Sequence, residues 1–290
     1  MNTFEDKVRR TVEQIKHESY HAIAADITQR RMAWLDRNLP EKEVYTPFTP
    51  RDVFELLFFE QMQLERSDLA VVSETDDEIV WLSHNPCTLL EACISLGLDT
   101  RRVCRPVNEK ATQAFVSRIN PQLRFQRSYE EIRPHAEYCR ERIIRIDFDA
   151  YMRTAIREAH IAKSEGNEAY GAVVVFEDQV IGQAHNTVIT GHDPSCHAEM
   201  NALRQAVKTL SDRDLCGAIL FTTCEPCAMC TAFAIYANIT TIVYGISIAE
   251  MTGLDKASIN LSAKHIIEQS SCEIEIIANI LHDECKALYV

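Results

Sequence analysis

Hydrophobic residues recur with a helical period at the start of the chain. Phe4, Val8, Val12 and Ile15 lie three or four residues apart, and similar spacing continues to Ile27. Such spacing places the apolar side chains on one face of a helix and the polar ones on the other. The pattern predicts one long amphipathic helix over about the first thirty residues.

Helical patterns also dominate the rest of the first half. TPRDVFELLFFEQMQLE predicts a helix, and HNPCTLLEACISLGLDTRRVC predicts a turn, a helix that ends near Gly97 and a second helix. IVWLSH, from Ile79 to His84, is a short apolar run typical of a strand. We therefore expect residues 1–146 to form a mostly helical α+β domain.

The pattern changes after residue 147. DAYMRTAIREAHIAKSEG predicts an amphipathic helix closed by Gly166, and AVVVFEDQVIGQAHNTV predicts a hairpin that turns at Glu177 and Asp178. The elements expected next are a helix from about His197 to Leu210, strand GAILFTTC, helix CAMCTAFAIYAN, strands TTIVYGI and EIEIIA, and a terminal helix. Because alternating strands and helices favour parallel pairing, residues 147–290 should form a three-layer α/β/α domain with a central mixed sheet.

Composition and charge narrow the functional classes. The length of 290 residues fits two domains of ordinary size, and 46% hydrophobic residues can fill two cores. The formal net charge is −13. A strongly acidic chain is repelled by phosphate backbones, which disfavours nucleic acid as a partner. Arginines between residues 101 and 145 are interspersed with acidic residues, so they predict a solvated face rather than a nucleic-acid groove.

The sequence also bears on the cellular compartment. The first thirty or so residues are charged throughout, without the apolar region of a signal peptide. No window approaches the roughly 20 apolar residues of a membrane-spanning helix. We expect a cytoplasmic protein without membrane contact. In a reducing compartment, its eleven cysteines are buried thiols, metal ligands or reactive groups rather than disulfides.

Two short segments carry candidate chemistry, CHAEMN at residues 196–201 and EPCAMC at 225–230. Each lies where a loop or strand leads into a helix. Cys227 and Cys230 would present two sulfurs on one helical turn, and His197 would supply a third ligand, which suits zinc with one open position. Glu199 is better placed to move protons than to bind the metal. Pro226 fits the start of a helix, where its missing N–H costs nothing.

Other interpretations of these cysteines stay open. Cys-x-x-Cys is also the pattern of a redox pair or of two structural thiols, although a redox pair is expected near a thioredoxin-like unit. Cys196 and Cys224 each neighbour a candidate ligand. Because a buried cysteine behaves as a small hydrophobic residue, we expect both to be packing residues.

The order H-x-E…P-C-x-x-C is the pattern of zinc-dependent deaminases. HDPSCHAEMNALRQA and LFTTCEPCAMC resemble the cytidine/deoxycytidylate deaminase superfamily, in its branch of guanine deaminases and tRNA adenosine deaminases. The resemblance covers about half of the chain. It implies hydrolytic deamination with release of ammonia, one zinc ion per chain, Glu199 as the catalytic proton carrier and a homodimer.

The same resemblance suggests two substrate contacts, Asn186 and, more weakly, Glu250. Asn186 can donate and accept hydrogen bonds with a base edge, which favours a substrate contact; the alternative is that it only caps the turn after its strand. For Glu250, the alternative is a solvated loop carboxylate. The Thr-Thr-Cys-Glu-Pro-Cys form and the absence of a basic run near residue 250 favour a free nucleobase or nucleoside, guanine-type first and cytosine-type next, as in purine salvage.

Two further hypotheses concern the whole chain. One is a tRNA adenosine deaminase in which residues 1–146 recognise RNA. The other is a ligand-sensing protein in which residues 1–146 bind an effector and regulate the deaminase domain. A second metal site in the first half would need Cys87, Cys93, Cys104 or Cys139, but their spacing matches no compact metal motif, so buried thiols are expected.

Overall fold

Residues 3–39, 48–254 and 259–290 are described by the computed structural model of this chain. The chain divides into two units, Met1–Ile146 and Asp147–Val290, and each has its own sheet and core. Among the described residues, no helix is both long enough and apolar enough to span a bilayer.

The first unit is an α+β arrangement around a four-stranded sheet. Its helices are α1 Phe4–His17, α2 Tyr20–Asn38, α3 Pro50–Glu55, α4 Thr88–Leu96, α5 Thr100–Cys104 and α6 Lys110–Ile119. A π-helical turn over Leu56–Gln61 continues α3, and another over Arg105–Glu109 joins α5 to α6. Its strands are β1 Leu69–Glu74, β2 Glu78–Ser83, β3 Leu123–Arg127 and β4 Cys139–Arg145. They pair antiparallel in the order β1-β2-β4-β3.

The single long helix predicted at the start of the chain is wrong, because the chain forms two helices there. Glu18 is extended and ends α1, and the Ser19 side chain then accepts a hydrogen bond from the Ala22 N–H and caps α2. Serine is a strong N-cap residue because its hydroxyl satisfies a free N–H of the first turn. The apolar period continues across this break, so periodicity alone does not reveal it.

Part of the arginine-rich segment is buried, which corrects the prediction of a solvated face. Arg124 and Glu141 are only 6% and 4% exposed. The Arg127 guanidinium donates to Glu141 Oε1, and Trp81 Nε1 donates to Glu141 Oε2 at 2.8 Å. Since an unpaired buried charge is costly, the pairing of Arg127 with Glu141 is what permits both inside the unit.

The cysteines of the first unit do not form a metal cluster. Cys93 and Cys104 are buried, whereas Cys87 and Cys139 are half-buried, and all four are free thiols. Burial raises the pKa of Cys93 to about 11 and that of Cys104 to about 12, so both stay protonated at neutral pH. Among the residues that the structure describes, the only group of three or more His, Cys, Asp or Glu side chains that could hold a metal ion lies in the second unit.

The second unit is built on a five-stranded sheet. Its strands are β5 Gly171–Phe176, β6 Gln179–His185, β7 Ile219–Cys224, β8 Thr241–Ile246 and β9 Glu275–Ile277. Its helices are α7 Phe148–Ser164, α8 Val188–Gly191, α9 Ala198–Leu210, α10 Ala228–Tyr236, α11 Ile248–Gly253, α12 Ala263–Glu268 and α13 His282–Lys286. The strand order is β6-β5-β7-β8-β9, so the central β7 is buried along its whole length.

The predicted mixed sheet is confirmed. β5 pairs antiparallel with β6 and β7, whereas β7, β8 and β9 are parallel. Helices cover both faces of the sheet. Gly171 abuts the α7 backbone, while its neighbour Ala172 packs in the cluster that contains Ala202 and Ala206 of α9. Because successive strand residues point to opposite faces, α7 and α9 form the two outer layers.

Candidate active site

Two helix beginnings supply the candidate ligands. His197 is the N-cap residue of α9, and Cys227 is the N-cap residue of α10, directly after Pro226. Cys230 lies in the first turn of α10 and is fully buried. The carboxyl end of the central strand β7 leads into α10, so the sheet fixes where this helix begins. The predicted helix starts thus place the three side chains within one small region.

The three donor atoms form a nearly equilateral triangle. His197 Nδ1 lies 3.6 Å from the sulfur of Cys227 and 3.6 Å from that of Cys230. The two sulfurs are 3.7 Å apart, so they are not joined as a disulfide. All three atoms face one another, as ligands of a shared ion would.

The thiols of Cys227 and Cys230 differ in pKa because their surroundings affect them in opposite directions. A hydrogen bond with Cys230 lowers the pKa of Cys227 to about 4, against the opposing effect of burial, and a hydrogen bond with His197 adds to it. The shared hydrogen bond and burial raise the pKa of Cys230. The hydrogen bond with Cys227 raises the pKa of His197, although its burial acts in the other direction. The site therefore carries a thiolate at neutral pH, which is the form that binds metals.

Glu199 lies beside this triangle, in the first turn of α9. Only 6% of it is exposed. Burial, and then the negative charge of Cys227, raise the pKa of Glu199 to about 7. The nearby Cys230 thiol and His197 act in the opposite direction on this pKa. A carboxyl group with a pKa near neutrality can both accept and release a proton.

One supporting residue was not singled out from the sequence. The side-chain amide of Asn201 donates to the backbone oxygens of His185 at 3.0 Å and Cys196 at 3.3 Å, and to the Thr187 hydroxyl at 3.1 Å. These bonds tie the loop before His197 to the end of β6. The motif CHAEMN includes this asparagine, but its partners lie up to 16 residues away, and no local pattern indicates them.

Two aromatic side chains enclose the region near β7. Tyr170 and Tyr289 have ring centroids 5.1 Å apart, and the Tyr289 hydroxyl lies 2.8 Å from the Thr223 hydroxyl. Burial raises the pKa of Tyr170, and the negative charges of Cys224, Glu168, Glu199 and Cys227 raise it further. Tyr170 is therefore within electrostatic reach of the site. Cys224 is 7% exposed and packs with Ile246 and Met251.

Asn186 is 2% exposed at the end of β6. Its Oδ1 accepts a hydrogen bond from the Val188 N–H at 3.0 Å, as expected for a residue that caps the turn. Its Nδ2 makes no hydrogen bond to the described residues. The geometry thus combines a turn role for one end of the amide with a free donor at the other.

Glu250 is engaged elsewhere. It forms a capping box with Ser247 at the start of α11. Its Oε1 lies 2.9 Å from His282 Nε2 of α13, and the hydrogen bond from His282 holds the pKa of Glu250 below its usual range. Both oxygens therefore have partners within the protein.

Sequence comparison identifies the family. The family model described as "Cytidine and deoxycytidylate deaminase zinc-binding region" matches residues 146–246. A tRNA-specific adenosine deaminase of Buchnera aphidicola (subsp. Baizongia pistaciae) is 36% identical over 143 residues, which cover 49% of this chain and 86% of that protein. The chain belongs to the cytidine and deoxycytidylate deaminase family. The resemblance recognised in the motifs is confirmed, as is the predicted class of enzyme, a hydrolase acting on C–N bonds of nucleobases or nucleosides.

Two further proteins are similar to this deaminase over part of its length. The guanine deaminase of Bacillus subtilis is 40% identical over 75 residues, which cover 26% of this chain and 48% of that enzyme. A solved structure from a study of A-to-I editing by tRNA:A34 deaminases covers 48% of this chain and 98% of its own, with 27% identity and a TM-score of 0.42. The family model begins at residue 146, and each of these relatives covers less than half of this chain.

The donor set fits the zinc that the family implies. Zinc–sulfur bonds of about 2.3 Å and zinc–nitrogen bonds of about 2.0 Å, arranged tetrahedrally, separate neighbouring ligand atoms by about 3.5–3.8 Å. The separations in this deaminase are 3.6, 3.6 and 3.7 Å. One histidine with two cysteines also leaves a fourth position open, which is typical of a catalytic site.

Proposed function

We propose that this deaminase uses His197, Cys227 and Cys230 to hold a zinc ion and Glu199 to move protons during hydrolytic removal of an amino group from a nucleobase. The observation that carries the proposal is the juxtaposition of the donor triangle with a buried carboxyl group whose pKa is raised to about 7. A redox pair would require neither this histidine nor this carboxyl group.

Each residue has a separate task in this reaction. Zinc, when bound, supplies a Lewis acid that lowers the pKa of a bound water. Glu199 accepts a proton from the attacking water at its carboxylate and delivers it to a ring nitrogen. It then transfers the second proton of the same water to the departing amino group. Water and the aminated base thereby become the oxo base and ammonia. Asn186 donates from Nδ2 to an acceptor on the base and thereby orients the ring.

For the substrate, we propose adenosine in tRNA as the first candidate. The tRNA-specific relative matches over 86% of its own length, whereas the guanine deaminase matches over 48%. This order reverses the expectation from the sequence motifs. Residues 1–146 hold 21 Lys and Arg against 24 Asp and Glu, a formal charge of −3, so this part of the chain is less acidic than residues 147–290. The first unit would then supply the contacts to RNA phosphates.

A free purine base or nucleoside is the second candidate. Residues 147–290 contain nine Lys and Arg against nineteen Asp and Glu, a formal charge of −10. Such a unit attracts no polyanion by itself, whereas an uncharged base would not be repelled.

The test is a substrate panel assayed for ammonia, with inosine in tRNA measured by mass spectrometry. We expect release from tRNA that contains adenosine, and release about 10²- to 10⁴-fold slower with the Glu199→Gln variant. Release from guanine or a nucleoside alone would replace the first candidate with the second. A zinc-loaded protein that released ammonia from no tRNA, base or nucleoside would contradict the proposed function.

A further inference from the structure

Glu225 is a buried carboxylate that the catalytic scheme does not use. It lies between the end of β7 and Pro226, two residues before the candidate ligand Cys227. Only 5% of it is exposed. No ion pair joins it to a lysine, arginine or histidine among the described residues. Because burying a carboxylate is expensive, its negative charge needs another source of stabilisation.

That stabilisation comes from the beginnings of two helices. Glu225 Oε2 accepts the Ile248 N–H at 2.9 Å, and Oε1 accepts the Ala263 N–H at 2.8 Å. Ile248 and Ala263 are the first residues of α11 and α12, whose first N–H groups have no partner within the helix. The positive ends of both helix dipoles therefore face one carboxylate.

The other hydrogen bonds at these ends complete the arrangement. Ser247 accepts the Glu250 N–H, and Ser262 accepts the His265 N–H, each at 3.2 Å. These serines satisfy the third N–H of each helix, while Glu225 satisfies the first. The two helix starts are 15 residues apart along the chain, and among the described residues Glu225 is the single side chain that hydrogen-bonds to the first N–H of both.

Glu225 is itself fixed to the sheet. Its N–H donates to the Ile246 oxygen at 2.8 Å, at the end of β8. The α10 end of the loop has separate support, since the Thr231 hydroxyl donates to the Pro226 oxygen at 3.1 Å and the Thr231 N–H donates to the Cys227 oxygen at 2.9 Å. Loss of the Glu225 contacts to α11 and α12 therefore leaves the support of Cys227 in place.

The clamped segments border the site. Met251 of α11 and Leu254 just after it pack in the cluster around Cys224, together with Tyr170 and Tyr289. Tyr170 is near enough to Glu199 and Cys227 for their charges to affect it. α12 packs against α10, the helix that carries Cys230. The position of both segments thus shapes one side of the candidate site.

The geometry points to Glu225 as a positioning residue that clamps the starts of α11 and α12 and thereby holds the substrate-binding wall of the site. Among the described residues its side chain hydrogen-bonds to Ile248 and Ala263 and to neither a ligand atom nor Glu199, so its effect is expected on substrate binding rather than on the ion. The effect on substrate rests on the proposed function, whereas the clamp itself does not.

The test variant is Glu225→Gln, which keeps the size of the side chain. A glutamine has one acceptor oxygen, and its NH2 group would face the second N–H, so one helix start loses its partner. Hydrogen bonds to charged groups are worth about 1.5–3 kcal/mol, so amide exchange at Ile248 or Ala263 should accelerate about 10- to 100-fold. We expect unchanged zinc content, a KM raised about tenfold and a kcat within about threefold of wild type.

Glu158→Gln is the matched control. Glu158 is a buried carboxylate of the same unit that accepts from Gln183 and His185 instead. Its substitution should leave exchange at Ile248 and Ala263 unchanged. A general loss of stability would accelerate exchange in both variants, whereas loss of the clamp affects only Glu225→Gln.

Several outcomes would overturn the clamp. They are unchanged exchange at both amides in Glu225→Gln, loss of zinc from that variant, or a lower kcat with unchanged KM. If the variant does not fold, the wild-type protein still decides, because a clamp requires slow exchange at both Ile248 and Ala263. If the wild-type protein is inactive on every substrate, the proposed function fails, while exchange and zinc content still test the clamp.

Discussion

The three cysteines of TTCEPCAMC have different environments although they lie within seven residues. Cys227 and Cys230 face His197 Nδ1 at 3.6 Å, whereas Cys224 packs with Ile246 and Met251. Pro226, which lies between Cys224 and Cys227, explains the difference, because it marks the point where β7 has ended and α10 is about to begin. Side chains before it follow the pleat of β7, and those after it follow the first turn of α10.

At the level of single residues, Glu199→Gln should separate catalysis from metal binding. Glutamine fills the same space but cannot accept and release a proton. We expect activity to fall about 10²- to 10⁴-fold, the usual contribution of a general acid–base group. Steady-state ammonia release and metal analysis measure the two effects.

Glu268→Gln, on the exposed face of α12, is the control and should keep full activity. Wild-type activity in Glu199→Gln would remove this residue from the mechanism. Loss of zinc would instead indicate that the carboxyl group supports the ligands.

His185 should give the protein a pH-dependent stability. Burial acts to lower the pKa of His185, but its hydrogen bonds to Glu158 at 2.8 Å and Glu165 at 3.0 Å outweigh this and raise it. A histidine with a raised folded-state pKa binds its proton more tightly in the folded protein. Its stabilisation is therefore complete below the unfolded-state pKa of about 6.5 and is lost as the pH rises through the folded-state value.

Denaturant unfolding over a series of pH values checks this expectation. The free energy of unfolding of the wild-type protein should fall as the pH rises above about 6.5, and His185→Gln should remove that part of the slope. His160→Gln, at an exposed position of α7, serves as the control. Equal slopes in wild type and His185→Gln would show that the ion pair contributes nothing measurable.

At the level of elements, the pattern of hydrophobic residues predicted the helices and strands of the second unit more accurately than those of the first. The helix over Phe148–Ser164 and the hairpin of β5 and β6 agree closely with their predictions. β1 was missed because five of its six residues are exposed, so it lacks the alternation of a half-buried strand. α11 and α12 were also missed, since helices of six residues carry too little periodicity to recognise.

The contact between β6 and α9 should be intolerant of added volume. A Cβ atom at Gly182 would lie 2.2 Å from the Ala202 oxygen of α9, so an alanine there must push the helix away. We expect Gly182→Ala to lower the free energy of unfolding by about 3 kcal/mol, near the upper end for overpacking. Because α9 carries Glu199, activity should fall as well.

Thermal unfolding and ammonia release measure both effects. Gly191→Ala is the control, because a Cβ atom there approaches only the Thr187 hydroxyl, at 3.9 Å. Equal melting temperatures for Gly182→Ala and wild type would contradict the close packing of β6 on α9.

At the level of the whole molecule, the chain joins the unit Asp147–Val290, which contains the deaminase family match, to the unit Met1–Ile146, which lies almost wholly outside that match. The family model ends within Asp147–Val290, and 143 aligned residues make up 86% of the Buchnera relative. That relative is therefore little longer than the second unit. A unit of this size with its own core and sheet has what independent folding requires.

We accordingly expect the fragment Asp147–Val290 to fold and to bind zinc. Circular dichroism and metal analysis test this directly. If the first unit supplies the RNA contacts, the fragment should lose activity on tRNA while it still deaminates a nucleoside. Equal kcat/KM on tRNA for fragment and full chain would exclude that role for Met1–Ile146.

The sequence by itself determined which residues form the candidate site, because His197, Glu199, Cys227 and Cys230 are defined by residue type, order and their places at helix starts. It also determined the alternation of strands and helices that places those starts. Only the tertiary structure decided which distant side chains meet, such as Glu225 with the first residues of α11 and α12, or Arg127 with Glu141. Periodicity records which face of an element is apolar, whereas a buried charge is placed by partners many residues away that no local pattern specifies.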